Sequence, residues 1–373
     1  MLDGMEAVAK KYIHFCGNEV AVKNEGRRII NEEKRKKVVT FLAFYLHMSK
    51  KSSTFAGSNK KLHFMNVKLI GTILGISLIA CPLLYIFVGP TLNDAQLETF
   101  KLLALIAGCS ALFCFVVGEL TMNNSQMDKL WSILPVVYVW IAAINGGMTT
   151  RLLVMACLVT IWGVRLTFNF GRKGAYRLKF WEGEEDYRWK VLREKKEFQS
   201  RWVWGMFDLF FISIYQNALV LMTTFPALVL MNVDKPFGWI DVLASVLMLG
   251  FILYETIADE QQWAFQSTKW KMIGEGKKLA ELPAPYNKGF NTVGLWGRSC
   301  HPNYFAEQGT WCAFYIFTIA GGIGIINWTI IGAILLIALF QGSSAFAEEI
   351  SAAKYADYTE YCRTHPKFFP KIR

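Results

Sequence analysis

A series of long apolar segments constrains this chain more than any other feature of its sequence. We count about eight of them, each near the ~20 residues that a helix needs to cross a bilayer. The segments are residues 67–88, 100–120, 131–145, 152–168, 206–231, 237–265, 301–323 and 328–346. Hydrophobic residues make up 53% of the chain and charged residues 18%, with a mean hydropathy of +0.28, which is too apolar for a typical soluble domain. The sequence therefore predicts an all-α fold, a polytopic membrane helix bundle of about eight transmembrane helices.

The charges between these segments predict how the bundle is oriented. The formal net charge is +11, and Lys and Arg are concentrated in the amino-terminal extension and in residues 172–201, 269–298 and 354–373. Residues 89–99 are acidic or neutral, and the loops near Asn145, Val233 and Gly322 are very short. With eight spans every basic stretch lies on one side, which predicts cytosolic N- and C-termini. A nucleic-acid surface is the alternative interpretation of the charge, but no nucleic-acid motif supports it.

The chain divides into a basic extension, residues 1–66, which we expect to be cytosolic, and a transmembrane domain, residues 67–373. The extension lacks the apolar core of a secretory signal. Its apolar stretch 38–48 is too short to span a bilayer, so the extension either rests on a membrane surface there or is a solvated tail. The 8 cysteines and 5 histidines show no C-x-x-C and no paired metal spacing, so we expect neither a disulfide framework nor a metal site.

We expect the chemistry in residues 294–307, where a polar loop ends and an apolar segment begins. Pro302 suits the first turn of the new helix because it has a fixed φ and no amide hydrogen. The free amides of that turn, with Arg298 and His301 beside them, favour an anion such as a phosphate. The polar side chains that follow near one helix face are Asn303, Tyr304 and Glu307. A carboxylate so close to an apolar segment is costly unless it has a function.

Other polar residues lie at the ends of apolar segments. Glu255, Asp259 and Gln262 fall at helical spacing on one face, and packing explains these acids poorly. Arg165 ends the fourth segment, where a cation is favoured by the negative end of the helix and either contacts lipid headgroups or joins a site. Glu119 ends the second segment and either extends to the membrane interface or faces a cavity.

These elements resemble the signature of the steroid 5α-reductase superfamily, in particular its less characterised microbial and protist branch. The resemblance rests on Gly-Leu-Trp and Arg-Ser-x-His-Pro-Asn-Tyr-Phe-x-Glu within residues 294–307. It also includes Glu-x-Ile-Ala-Asp-x-Gln from Glu255, Trp-Gly-x-Arg-Leu-Thr from Trp162 and Asp-x-x-Trp-x-x-x-Pro from Asp128. A tyrosine-rich pattern in the carboxyl-terminal tail completes the match, which covers about residues 128–373. The alternative interpretation of that tail is an amphipathic helix at the membrane interface.

The resemblance implies a membrane helix bundle that holds NADPH at its cytosolic end and reduces an activated carbon–carbon double bond in a lipid or steroid-like substrate. The cofactor-binding residues that it implies are Arg165, Glu255, Asp259, Gln262, Arg298, His301, Asn303, Glu307, Tyr355 and Tyr358. Tyr304 is implied as a catalytic residue, and Glu119 as a group that polarises the substrate carbonyl. Lys269 and Lys271, in the same loop as Arg298, are candidates to neutralise the 2′-phosphate that distinguishes NADPH from NADH.

Two other functions stay open on the sequence alone. Membrane methyltransferases of the isoprenylcysteine type, which use S-adenosylmethionine, carry a similar Arg-His-Pro-x-Tyr followed by Glu, although Ile-Ala-Asp-x-Gln and Asn303 favour the reductase. A non-catalytic sterol-binding relative would keep the polar motif without turnover. The sequence contains no G-x-G-x-x-G and no P-loop, so it does not predict a Rossmann domain. We expect a hydrophobic small-molecule substrate, contact with membrane lipids but not with nucleic acid, and the endoplasmic reticulum as the location.

Overall fold

The computed structural model describes residues 83–371. The predicted basic extension, its apolar stretch 38–48 and most of the first predicted segment lie outside the described residues. Within residues 83–371 the chain is helical and contains no β-strand, as the sequence predicted. Numbered in chain order, the helices are α1 (Asp94–Thr121), α2 (Gln126–Leu130), α3 (Leu134–Asn145), α4 (Thr150–Gly171), α5 (Tyr187–Arg193), α6 (Arg201–Phe207), α7 (Gln216–Thr223), α8 (Phe225–Val229), α9 (Trp239–Gly274), α10 (Pro302–Ala320), α11 (Ile331–Lys354) and α12 (Tyr358–Thr364).

Five helical stretches of the described chain are long and apolar enough to cross a membrane. They are α1, α4, the stretch Arg201–Thr223, α9, and the stretch Trp328–Lys354 that contains α11. The total of eight spans and the orientation of the termini remain predictions. The third expected segment becomes the shorter helix α3, and the fifth does not run on to residue 231, because the helix ends at Thr223 and the short α8 follows.

A π-helix, Asp208–Tyr215, joins α6 to α7 without a break. A π-helical turn holds more residues than an α-helical one, and such turns occur frequently at functional sites. In the sequence this region is one uninterrupted apolar segment, and no local pattern in it indicates a π-helix. Asp208, its first residue, is almost completely buried although it is charged in its usual form.

Helices α4 and α9 lie side by side and run in the same direction. Near their first residues, Arg151 forms a buried ion pair with Asp241 at 2.7 Å. The same number of residues further along, about 21 Å of helix, Arg165 meets Glu255 at 2.8 Å. The ion pair at each end fixes the register between the two helices. We call the end with Arg165 and residues 294–307 the motif end.

Helix α10 packs closely along α9. Gly309 makes this approach possible, because a β-carbon at that position would lie 2.4 Å from the ring of Phe251. Small residues at such crossings allow membrane helices to come close together. The carboxyl-terminal tail then folds back on the motif end, where the amides of Cys300 and His301 donate to the carbonyls of Pro366 and Lys367 at 2.9 and 3.0 Å.

Candidate functional site

A charged cluster at the motif end is built from three helices. The guanidinium of Arg165, from α4, lies 2.8 Å from carboxylate oxygens of both Glu255 and Asp259 of α9. Asn169 donates to Asp259 Oδ2 at 2.9 Å, and Asn303 of α10 donates to Oδ1 at 3.3 Å. All five side chains are largely or wholly withdrawn from solvent. The structure therefore brings together four of the residues that the sequence proposed, and it adds Asn169.

Glu307 lies next to this cluster but has a different set of partners. Its carboxylate accepts hydrogen bonds from the indole N–H groups of Trp162 at 2.7 Å and Trp311 at 3.2 Å. The two indole rings meet edge to face, with centroids 5.0 Å apart. Glu307 is thus a buried carboxylate held by two neutral donors, and it belongs to the wall of the charged cluster. No sequence pattern singled out the two tryptophans as its partners.

His301 and Tyr304 form a second group beside α11. His301 Nε2 lies 2.9 Å from Oε1 of Glu348, and Lys367 of the tail is 3.7 Å from the same oxygen. The His301 ring stacks on the Tyr304 ring, with centroids 5.2 Å apart, and Tyr304 meets Phe340 edge to face. His301 and Lys367 thus both contact the Glu348 carboxylate, which occupies part of the place where the sequence expected an anion to bind.

The loop before α5 brings further charges to Tyr304. Asp186 caps α5 and binds the Arg188 guanidinium at 2.8 and 3.0 Å. Burial alone would raise the pKa of Asp186, but the charge and hydrogen bonds of Arg188 leave that pKa below its ordinary value. Tyr187 keeps 55% of its surface accessible, yet its partial loss of solvent raises its pKa to about 12, with the charge of Arg188 opposing this shift and the charge of Asp186 adding to it.

Lys173 follows α4 and is the cation that sequence reasoning missed. Partial loss of water lowers the pKa of Lys173, while the carboxylates of Asp259 and Asp186 oppose that shift. Its ammonium group therefore lies in the field of both the charged cluster and the loop before α5. The sequence indicates Lys173 only as one of many cations in the basic stretch 172–201. The predicted membrane topology was enough to explain all of these cations.

The two tail tyrosines occupy different places. Tyr355 receives a hydrogen bond from the buried Lys269, at 3.3 Å, and Lys269 also donates to the carbonyl of Gly289 at 2.8 Å. Lys269 thus holds the tail in place, and these two protein groups already accept hydrogen bonds from its ammonium group. Tyr358 packs with Phe290 and other rings of the tail, with Phe290 and Tyr358 centroids 4.9 Å apart, and burial raises its pKa.

The remaining proposed residues do not join the charged cluster through a direct contact. Gln262 has a buried Oε1 that no hydrogen bond reaches from the described residues. Arg298 is exposed. Glu119 lies at the end of α1, where it pairs with Arg201 at 2.5 Å. Among residues 83–371 no group of three or more His, Cys, Asp or Glu side chains is arranged to hold a metal ion.

Comparison with known proteins places these features in a family. The family described as protein of unknown function (DUF1295) matches residues 114–365. The chain is also similar to an uncharacterised protein of Schizosaccharomyces pombe, with 33% identity over 279 residues that cover 70% of this chain and 78% of that protein. No solved structure matches the chain. The family match includes the whole charged cluster, but its description gives no activity.

Proposed function

The chain belongs to the family of proteins of unknown function DUF1295, and we propose that it is a membrane-embedded, NADPH-dependent reductase of an activated C=C bond in a lipid or steroid-like substrate. The observation that carries this proposal is the charged cluster of Arg165, Glu255, Asp259 and Asn303. Buried ionisable groups in a membrane protein are costly and are found mainly where they bind or transfer something. The class of reaction is proposed from the resemblance of the sequence motifs to the steroid 5α-reductase signature.

The donors and acceptors at the motif end suit a dinucleotide. Acceptors for hydroxyl and amide groups are present, since Asn303 Oδ1 and Gln262 Oε1 are buried and receive no hydrogen bond from the described residues. Arg165 Nε is a buried donor that makes no hydrogen bond to the described residues. Lys173 and Arg188 supply positive charge for phosphates, and charge-assisted contacts of this kind are strong. These groups fit a ligand that is both anionic and rich in hydroxyls.

The cofactor would supply a hydride, and the residues of this chain would hold it and keep water away. Asp259 and Asn303 would bind its hydroxyl or amide groups, while Lys173 and Arg188 would bind its phosphates. Glu307, fixed by two indoles, would define the inner wall of the site. Exclusion of water strengthens every electrostatic contact within such a site. The apolar helices around it provide that exclusion, and they contact membrane lipids on their outer faces.

A cofactor-binding experiment tests this proposal. We expect the purified protein in detergent to bind NADPH, seen as a change in nicotinamide fluorescence, and to oxidise it when a long-chain enone is added. Replacing Lys173 by glutamine removes a phosphate contact and should weaken NADPH binding by about tenfold. Lys179→Gln is the matched control, because Lys179 lies in the same basic stretch with a 65% exposed side chain.

Two results would overturn the reductase. One is binding of S-adenosylmethionine without binding of NADPH, which would support the methyltransferase. The other is NADPH binding by neither the wild-type protein nor any variant, together with binding of a sterol. We further propose the endoplasmic reticulum as the location, which fluorescence microscopy of the tagged full-length chain would test.

A further inference from the structure

Two cysteines lie together where the carboxyl-terminal tail meets the motif end. Cys300 lies in the loop before α10, and Cys362 lies in α12, far away along the chain. Both pack in one cluster with Phe290, Tyr358 and Tyr361, and their side chains form a hydrogen bond with each other. Contact between two thiols is the first requirement for a disulfide, in which the sulfur atoms come to about 2.05 Å from each other.

The main chain holds the two cysteines in this position from both sides. The hydroxyl of Tyr361, the residue before Cys362, donates to the carbonyl of Ser299 at 3.1 Å, and Ser299 is the residue before Cys300. The amide of Cys300 itself donates to the carbonyl of Pro366 at 2.9 Å. These contacts lie on either side of the pair. A bond between the two sulfurs therefore needs a rotation of side chains and not a different path of the main chain.

The two thiols differ in their access to solvent. Cys300 is 1% exposed, whereas Cys362 keeps part of its surface accessible. A cysteine that an oxidant can reach, beside a second one that completes the disulfide, is the usual arrangement of a redox-sensing pair. The hydrogen bond with Cys362, then burial and the charge of Cys362, raise the pKa of the Cys300 thiol. The first and the last of these causes disappear once the Cys362 sulfur is bonded to another sulfur, so Cys300 then ionises more readily.

We propose that Cys300 and Cys362 form a reversible disulfide, which locks the carboxyl-terminal tail onto the motif end under oxidising conditions. The oxidant is a small disulfide of the glutathione type. The inference does not rest on the proposed reductase function. The two cysteines are not a structural framework of the kind that the sequence argued against, because both are free thiols in the structure. Inside cells, disulfides that form and break in response to redox conditions are mainly of this kind.

The reaction is two successive thiol–disulfide exchanges. The Cys362 thiol loses its proton, and its sulfur bonds to one sulfur of the glutathione disulfide, whose own bond breaks. The other glutathione leaves as a thiolate and takes up a proton. The Cys300 thiol then loses its proton and its sulfur bonds to the Cys362 sulfur, displacing the second glutathione, which is protonated in turn. The two protein thiols are thereby oxidised, and one glutathione disulfide is reduced to two thiols.

The disulfide would act on the hydrogen bonds that hold the tail in place. The amides of Cys300 and His301 donate to the carbonyls of Pro366 and Lys367, and in the reduced protein such bonds can open by local unfolding. The disulfide closes a covalent loop that contains α10 and α11. States in which the tail has left the motif end are thereby removed, and unfolding becomes less favourable because the cross-linked chain gains less entropy.

Mass spectrometry of the full-length protein in detergent tests the pair. The protein is equilibrated with mixtures of reduced and oxidised glutathione, unfolded in N-ethylmaleimide to block free thiols, and digested. We expect a pair of peptides joined through Cys300 and Cys362, which dithiothreitol separates. In the oxidised protein, hydrogen exchange at the amides of Cys300 and His301 should slow by about tenfold or more. Its Tm should rise by about 5–10 °C.

Three variants assign the roles of the two thiols. Cys300→Ala removes the thiol that completes the disulfide, so glutathione should remain bonded to Cys362. Cys362→Ala should take up no glutathione at Cys300, because that thiol is buried. Neither variant should show the rise in Tm on oxidation. Cys109→Ala is the matched control, since it removes an exposed thiol of α1 and should leave the joined peptides and the rise in Tm unchanged.

Three results would overturn the proposal. One is the absence of the joined peptides in the most oxidising mixture. Another is joining of Cys362 to Cys109 or Cys157 as readily as to Cys300, because contact in the folded protein would then not direct the reaction. The third is a joined pair with unchanged hydrogen exchange and unchanged Tm, which would remove the lock on the tail. None of these measurements uses NADPH, so failure of the reductase proposal leaves them unaffected.

Discussion

Replacing Arg165 by methionine should destabilise the motif end more than loss of any single exposed charge. The Arg165 side chain is 11% exposed and is 2.8 Å from each of Glu255 and Asp259, whose side chains are 6% and 9% exposed. Methionine keeps much of the volume but leaves two buried carboxyl groups without their cation. Removing one partner from a buried ion pair costs about 3–5 kcal/mol, because the remaining charge is neither solvated nor paired.

The measurement is thermal unfolding of the purified protein in detergent, followed by tryptophan fluorescence. A loss of this size corresponds to a fall in Tm of roughly 5–15 °C. Adding Glu255→Gln to Arg165→Met removes one of the stranded charges and should restore on the order of 1–3 kcal/mol. The control is Arg177→Met, because Arg177 lies in the following loop with a 59% exposed side chain. Equal Tm values for the Arg165 and Arg177 variants would refute the argument that the cluster is a paired, buried unit.

Three further outcomes follow from the packing around the site. Glu307→Gln should lower stability by about 1–3 kcal/mol in the same assay, because an amide cannot accept both indole hydrogen bonds as well as a carboxylate does. Gly309→Ala should cost about 1–3 kcal/mol, because its β-carbon meets the Phe251 ring, and Phe251→Ala in the same chain should recover part of that loss. A hydrogen bond with Cys362, then burial, raises the pKa of Cys300, so mass spectrometry should find Cys300 unmodified by iodoacetamide at neutral pH until the protein unfolds.

The sequence predicted the class of fold because apolar length and helical spacing are local properties. It also predicted that Glu255 and Asp259 share one helix face, and in the structure both carboxylates form ion pairs with Arg165. Their common partner was less obvious, since the pairing depends on the parallel register of α4 and α9. That register is set partly by Arg151 and Asp241, at the far end of the same helices, and no local pattern relates the two pairs.

Glu119 shows where sequence reasoning reaches its limit. Its position at the end of an apolar segment marked it as a candidate to polarise a carbonyl. The neighbours of a side chain decide what it can bind, and the two neighbours of Glu119 come from a distant part of the chain. Arg201 forms an ion pair with Glu119, and Asp208, the first residue of the π-helix, lies beside it. Asp208 was hidden within an apparently uniform apolar run, so neither its pairing nor the π-helix was predictable.

Two adjacent residues of one loop connect the proposed cofactor site to the end of α1. The carboxylate of Glu185 accepts a hydrogen bond from the backbone amide of Asn124, in the turn that follows α1. Asp186 binds Arg188, and this pair faces Tyr304 at the motif end. Because neighbouring side chains point in different directions, a short loop can contact two different groups of helices. An anion bound at Arg188 would restrain the same loop that contacts Asn124, so binding of the proposed cofactor there would also restrain the segment that follows α1.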